Sequence, residues 1–316
     1  MESLKPKIVI VGAGNVGSTF AFSLMLSGLA REIVLIDKNE LLVQGECMDL
    51  NHGLSFAHPT NIYAAGFEGC KDADIVVITA GANQKPGQSR TDLVKANVAI
   101  FKDIIPEITK YTTNAILLVV TNPVDILTYV TLKLSGFPSG RVIGSGTVLD
   151  TARLKYMISE YSKVDASNIH AYIIGEHGDT ELPVWSNATI GGVGIETYCS
   201  VYASKTNVRA ELSEIFERVK NAAYQIIQAK GATNYSIGLA LVKITRAIVR
   251  NENSILPVST LITDLYGIND VCISIPALVN NTGVQQYVEL NLSAHEQELF
   301  KRSANTLKGF IEAIEL

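Results

Sequence analysis

Long apolar runs are missing from this 316-residue chain. The longest, such as 115–120, fall far short of the roughly 20 residues a membrane-spanning helix needs. The opening stretch Met1-Glu2-Ser3-Leu4-Lys5-Pro6-Lys7 lacks the apolar core of a secretory signal. Cysteine is scarce: Cys47, Cys70, Cys199 and Cys272 are scattered, with no Cys-x-x-Cys pair and no Cys/His ligand spacing. That excludes a zinc framework or a disulfide scaffold, so no metal is expected. It fits a reduced, cytoplasmic setting. An excess of positive charge is also lacking. The net charge is -5 and the pI about 5.6, which argues against a nucleic-acid partner. No internal repeat, low-complexity tract or flexible linker interrupts the chain. What is present is 47% hydrophobic residues and a positive mean hydropathy. These suffice for a well-buried core in one large or two medium domains.

The first half opens on Lys7-Ile8-Val9-Ile10-Val11, a β-branched run suited to a strand buried on both faces. Gly12-Ala13-Gly14-Asn15-Val16-Gly17 follows at once, then an apolar helical stretch to Gly28. A glycine pattern alone is weak; strand, glycine turn and helix in this order make a dinucleotide cradle. Gly12 permits the tight turn, Gly14 lets backbone approach a pyrophosphate, and Gly17 lets helix and strand pack. The helix N-terminus offers free N–H groups to the phosphates. Asp37 ends the next strand, 32–37, twenty residues past Gly17. A carboxylate there accepts the ribose hydroxyls and repels a 2′-phosphate, which selects NAD over NADP. The plainer reading makes Asp37 the cap of a helix starting near Leu41.

Further strands are expected at 74–79, 115–120 and 141–144, with helices at 41–50, 91–111 and 126–134 between them. The alternation predicts an α/β fold with a parallel, doubly wound Rossmann sheet, 1–144, followed by an α+β substrate domain, 145–316. Ligands bind beyond the carboxyl ends of such strands. The segments there are Ala80-Gly81-Ala82, Thr121-Asn122-Pro123-Val124-Asp125 and Ser145-Gly146. A polar loop from Gly81 carries Gln84, Lys85 and Gly87 to Arg90 and has the character of a lid hinged at Gly81 and Gly87.

In the second half, a strand-like run, 170–174, leads into Gly175-Glu176-His177-Gly178-Asp179-Thr180-Glu181. Histidine titrates nearest neutral pH and is the natural proton carrier. On its own this segment also fits a surface turn. Asp150 and Arg153, three apart, share one face of a helix that starts near Thr147. Its apolar residues Leu149, Ala152, Leu154 and Tyr156 leave little room for a mere surface ion pair. Gly191-Gly192-Val193-Gly194 reads as a loop or a hairpin. Helices are expected at 207–230 and 235–250, broken by Gly231-Ala232-Thr233. Thr233 serves equally as a site hydroxyl or as the N-cap of the second helix. Strands at 254–262, 271–275 and 284–290 suggest an antiparallel meander, and Ser293-Ala294-His295-Glu296 is a capping box.

Together, GAGNVGS, AGANQKPGQSR, TNPVDILT, GSGTVLDTAR and IGEHGDTELPVWS resemble the L-lactate/malate dehydrogenase family over essentially the whole chain. The bacterial NAD-dependent L-lactate dehydrogenases match best. The resemblance implies an oxidoreductase with His177 as proton donor and acceptor and Asp150 as its partner. Arg153 would hold the substrate carboxylate, and Arg90 would polarise the carbonyl when the loop closes. Asn122 would touch substrate and nicotinamide, Thr233 would line the pocket, and Ile237 would pack on the nicotinamide ring. Cofactor contacts would extend to Val16, Gly81, Ala82, Val120 and Ser145.

The family's malate enzymes carry arginine where this chain has Gln84. A second substrate carboxylate would be buried unpaired there, which favours pyruvate and L-lactate. Malate dehydrogenase and a non-catalytic NAD(H)-binding protein are the competing readings. The first predicts faster turnover of oxaloacetate, the second binding without turnover. Gln88 departs from the glutamate common in relatives and removes no catalytic group. The resemblance also implies a homotetramer, and a fructose 1,6-bisphosphate site at Lys155 and His170. Allosteric members commonly have arginine in place of Lys155. Lysine holds a phosphate only as a point charge, so the sequence supports activation and its absence equally.

Overall fold

The computed structural model describes residues 6–82 and 90–314, without the side chain of Arg90. The opening run forms β1 (Lys7–Val11) and passes through the glycine turn into α1 (Asn15–Ser27). The chain continues through β2 (Glu32–Ile36), α2 (Glu40–His52), β3 (Asn61–Ala64) and β4 (Ile75–Ile78). Then come α3 (Arg90–Thr109), β5 (Ile116–Val119), α4 (Val124–Ser135), β6 (Val142–Gly144) and α5 (Val148–Ser162). These six strands pair in parallel in the order β3-β2-β1-β4-β5-β6. The order reverses between β1 and β4, where a crevice opens at the carboxyl ends.

Alternate residues of each strand serve opposite layers. Val9, Val11, Val76, Ile78, Leu117 and Val119 join Phe101, Ile105 and Val130 in one core. Ile8, Ile10, Ile75, Val77, Ile116 and Leu118 join Phe20, Leu24, Leu241 and Ile244 in the other. Burial on both faces explains why these strands read as continuous apolar runs. β3 escaped the sequence reading because it lies at the sheet edge, with only Ile62 fully buried.

The second half runs through β7 (Ile169–His170), β8 (Ile173–Ile174), β9 (Leu182–Pro183), β10 (Thr189–Ile190), β11 (Val193–Gly194) and α6 (Ile195–Thr197). It ends with α7 (Val208–Lys230), α8 (Tyr235–Val249), β12 (Ser254–Ile262), β13 (Val271–Asn280), β14 (Gly283–Tyr287) and α9 (Ala294–Glu312). The single strand expected at 170–174 is two: β7 pairs with β10, and β8 with β9. Thr147, the cap of α5, and Thr151 within it bond the backbone of β8. Thr151 Oγ1 accepts from the Ile173 N–H (3.0 Å), and Thr147 Oγ1 donates to the Ile173 carbonyl (2.5 Å). Gly191 and Gly192 both take positive φ between β10 and β11, so this segment is a two-residue hairpin turn.

The expected meander β12-β13-β14 is antiparallel, but it is no separate sheet. β12 pairs with β6 and extends the parallel sheet to nine strands. The junction needs Gly144, because a Cβ there would lie 2.7 Å from Ser259 Cβ and 2.4 Å from Thr128 Oγ1. A third core, with Leu154, Ile158, Ile190, Leu212 and Ile215, holds α5 and α7 on the small sheet. α8 is tied back to α1, where Asn234 Nδ2 donates to Thr19 Oγ1 (2.9 Å). The halves therefore share one sheet. The capping box of α9 is formed in full. Among the described residues no helix is long and apolar enough to cross a membrane.

Candidate active site

The glycine turn is shaped by close approach. At Gly17 a Cβ would sit 1.8 Å from the Gly12 carbonyl oxygen. At Gly12, with φ +108°, it would meet the Ala80 nitrogen at 2.5 Å. Gly14 differs: nothing lies within 4 Å of the position its Cβ would take. It caps α1 without any side-chain hydrogen bond, so the first-turn N–H groups face an open cradle. That fits a pyrophosphate. Asp37 Oδ2 accepts from the Ala13 N–H (2.8 Å), and Oδ1 from the Asn39 N–H (2.9 Å). Its carboxylate therefore sits beside the turn. The cap of α2 is Asn39, whose side chain accepts from the Leu42 N–H. Val16 and Ile237 are half-buried, both packed against the core beneath the cradle.

Ala82 and Asn122 follow the ends of β4 and β5. Asn97 of α3, fully buried, joins them. Its Oδ1 accepts from the Ala82 N–H (2.7 Å), and its Nδ2 donates to the Asn122 carbonyl (2.8 Å). The Asn122 side chain stays exposed. Gly81 is closely flanked by Thr121, and the Ser145 N–H donates to the Val119 carbonyl (2.8 Å). Val120 and Ser145 are buried, which leaves Asn122 as the exposed polar residue just past β5.

His177 is reached from three directions. His177 Nδ1 lies 2.6 Å from Asp150 Oδ2. Asp150 is buried in the first turn of α5, and its other oxygen accepts from Arg153 Nη1 (2.7 Å). The His177 backbone N–H donates to Asp125 Oδ2 (2.7 Å) at the start of α4. The loop itself is pinned through Ser303 of α9, whose hydroxyl accepts from the Glu176 N–H (2.7 Å).

Burial works against the imidazolium. The charge of Asp150 and its hydrogen bond overcome this and take His177 up to about 9, with smaller help from Glu181 and Asp125. Burial would raise Asp150, but His177 and Arg153 more than offset it and hold the carboxyl below its ordinary value. Burial pushes Asp125 up to about 6, against hydrogen bonds and the charge of His177, which favour the carboxylate. With 26% of its side chain exposed, His177 still opens to the cleft.

Thr233 is half-buried in the break between α7 and α8 and is not the cap of α8, a position held by Asn234. Lys155 lies one turn beyond Asp150. Burial and nearby Lys243 both lower its proton affinity. His170 is exposed at the end of β7. Gln84 and the rest of the loop 83–89 lie outside the described residues, as does the side chain of Arg90, so the lid expected there is not described. The sequence reading missed Asn97, Asp125 and Glu181. Asn97 left a signal, a polar side chain on the apolar face of a helix between Val94, Val98 and Phe101.

Two sequence profiles match this chain. One describes the lactate/malate dehydrogenase NAD binding domain over residues 6–144, the other the alpha/beta C-terminal domain of the same enzymes over residues 147–315. The chain belongs to the lactate/malate dehydrogenase family. The cradle described above is thus part of the family's NAD-binding half. Among relatives, the L-lactate dehydrogenase of Acetivibrio thermocellus is 55% identical over 310 residues, 98% of either chain. That of Priestia megaterium is 53% identical over 302 residues, covering 96% of this chain and 94% of its own. The minor L-lactate dehydrogenase of Enterococcus mundtii superposes with a TM-score of 0.95 at 40% identity, covering 99% of both chains. MGS-M5, a lactate dehydrogenase from a deep-sea metagenome, gives 0.94 at 46% identity and 98% coverage of both.

Proposed function

We propose that the chain is an NAD-dependent L-lactate dehydrogenase, interconverting pyruvate and L-lactate. The observation that carries the reading is the relay Arg153–Asp150–His177, built on a buried carboxylate with the histidine ring partly exposed. Bound nicotinamide supplies or receives the hydride. The residues do the rest. Reduction of a ketone leaves charge on oxygen, and the His177 imidazolium neutralises it by giving up a ring proton as general acid. Asp150 fixes the ring by its Nδ1 and keeps it charged, so Nε2 is the nitrogen left for substrate. Arg153 presents a planar guanidinium already oriented through Asp150, suited to two hydrogen bonds with a carboxylate. Arg90 brings a second positive charge to the carbonyl oxygen. Asn122 and Thr233 complete the substrate pocket.

Gly12, Gly14, Val16, Gly17, Gly81, Ala82, Val120 and Ser145 line the cofactor's path, Asp37 holds the adenosine ribose, and Ile237 backs the nicotinamide. Gln84, being neutral, favours a methyl group over a second carboxylate. NADH consumption with pyruvate, oxaloacetate and a branched 2-oxo acid tests the reading. Pyruvate should be turned over fastest. Preference for oxaloacetate would make it a malate dehydrogenase, and binding without turnover would make it a non-catalytic NAD(H) protein.

The assembly proposed is a homotetramer in the cytoplasm. Phe22 and Leu26 of α1, Leu41 and Met48 of α2, and Leu239 of α8 expose apolar side chains that a second copy would cover. Fructose 1,6-bisphosphate is proposed as activator at Lys155 and His170, since a phosphate would relieve the repulsion between Lys155 and Lys243. A leftward shift of the pyruvate saturation curve on adding the sugar bisphosphate is the expected result.

A further inference from the structure

One buried acid in the cleft has no task in the mechanism above. Glu181 stands just before β9 with 7% of its surface exposed. Its side chain makes no hydrogen bond among the described residues. One of its carboxylate oxygens, a ring nitrogen of His177 and an oxygen of Asp150 all lie within 4.8 Å of one another. Three such groups could suggest a metal site, but both Asp150 oxygens are engaged, one by Arg153 and one by His177. An unpaired carboxyl in such a place is costly as an anion and sensitive to every neighbouring charge.

We propose that Glu181 is a positioning residue that acts through His177. It is a third member of the proton-holding unit, and its charge state follows that of the imidazole. The inference rests on His177 being the acid of the reaction. The neighbours set the signs. Asp150 of α5 faces Glu181 as an anion; His177, Arg153 of α5 and Lys220 of α7 face it as cations, and Asp125 of α4 faces His177. Burial, then Asp150, drives the Glu181 carboxyl well above its ordinary range, against the three cations. While His177 keeps its proton, the cation draws Glu181 toward the carboxylate, and that negative charge in turn strengthens the hold of His177 on its proton. Once His177 is neutral, Asp150 still opposes the Glu181 charge while one of the three cations is gone, leaving Arg153 and Lys220, and Glu181 holds its own proton more firmly. The two groups therefore titrate together, in steps belonging to the unit rather than to either residue.

The test compares Glu181→Gln and Glu181→Asp with the unaltered enzyme over the pH profile of pyruvate kcat/KM. Glutamine keeps the shape and removes the ionisation. The alkaline limb should move down by about one pH unit, the size of a charge effect at this separation. That is a loss of roughly tenfold above the limb and less than about twofold at pH 6. Aspartate should restore most of the shift. A purely structural role would lower activity equally at all pH, and that result, or superimposable profiles, overturns the proposal. If Glu181→Gln does not fold, histidine-labelled unaltered protein decides by NMR: the His177 ring should titrate in two steps, and a single step overturns the proposal. His177→Gln keeps the two ideas apart. If it retains turnover, the mechanism fails; if it is inactive while Glu181→Gln leaves the profile unmoved, only the role of Glu181 fails.

Discussion

The backbone N–H of His177 donates to the carboxylate of Asp125 at 2.7 Å, across 52 residues of sequence. Asp125 opens α4, three residues after Asn122. One short helix start therefore fixes both an amide of the cleft and the backbone of its histidine. Asp125 is 1% exposed, and its loss would leave the His177 N–H without its partner. Asp125→Ala should destabilise the fold by about 2 kcal/mol and lower kcat roughly 10- to 100-fold through misplacement of the ring. Chemical denaturation and steady-state kinetics on the same variant measure both.

The proton affinity of His177 sets opposite pH dependences for the two directions. Pyruvate reduction requires the imidazolium and should fall as pH rises through about 9. Lactate oxidation requires the neutral ring and should rise across the same limb. Parallel initial-rate profiles in both directions check this.

Stability should follow the same groups with determinate signs. His177 is raised from 6.5 to about 9, so its contribution is full below 6.5 and is lost as pH climbs toward 9. Asp125 is raised from 3.8 to about 6; the folded state binds the extra proton, and this contribution fades between those values as pH rises. Asp150, held below its ordinary value, acts oppositely and loses its contribution on acidification. Thermal melts taken from below pH 3.8 up to alkaline pH should lose the slope between 3.8 and about 6 in Asp125→Asn.

Gly17→Ala places a methyl group 1.8 Å from the Gly12 carbonyl oxygen. Backbone cannot yield as a flexible side chain would, so the turn must open. Overpacking of this kind costs about 1–3 kcal/mol or more. NAD affinity should fall at least about tenfold as the cradle distorts. Gly14→Ala adds its Cβ to open space. It should preserve stability while still weakening NAD binding, because that space is the one proposed for the phosphates. Calorimetry of binding together with thermal melts separates the two variants.

Asn97→Leu keeps the volume and removes the polar bridge between Ala82 and Asn122. Three backbone groups lose this partner, the Ala82 N–H and carbonyl and the Asn122 carbonyl, at about 1–3 kcal/mol each if water cannot replace it. KM for pyruvate and Kd for NAD should both rise, since the bridge holds both Ala82, proposed to contact the cofactor, and Asn122, proposed to contact substrate and nicotinamide. Steady-state kinetics and equilibrium binding read the two effects.

Gln84→Arg should transfer preference from pyruvate toward oxaloacetate by supplying a partner for the second carboxylate. The ratio of kcat/KM for the two keto acids is the measurement.

The strand–turn–helix cradle is legible in the residue order alone, because β1, Gly12, Gly17 and Asp37 act within one short βαβ unit and their demands are local. So are the both-face burial of the parallel strands, written as continuous apolar runs, and the capping box of α9. The pairing of His177 with Asp150 was legible only through long ordered motifs, since 27 residues separate the two and nothing in local spacing joins them. Tertiary structure alone decided the rest. The meander joined the parallel sheet because Gly144 leaves room for Ser259. The run 170–174 broke into two strands because its two ends met different partners, β10 and β9. Asp125, Asn97 and Glu181 meet groups distant in the chain, by hydrogen bond or by proximity. Periodicity reports which face a residue occupies. It carries no information about which distant backbone group or charge that face will meet.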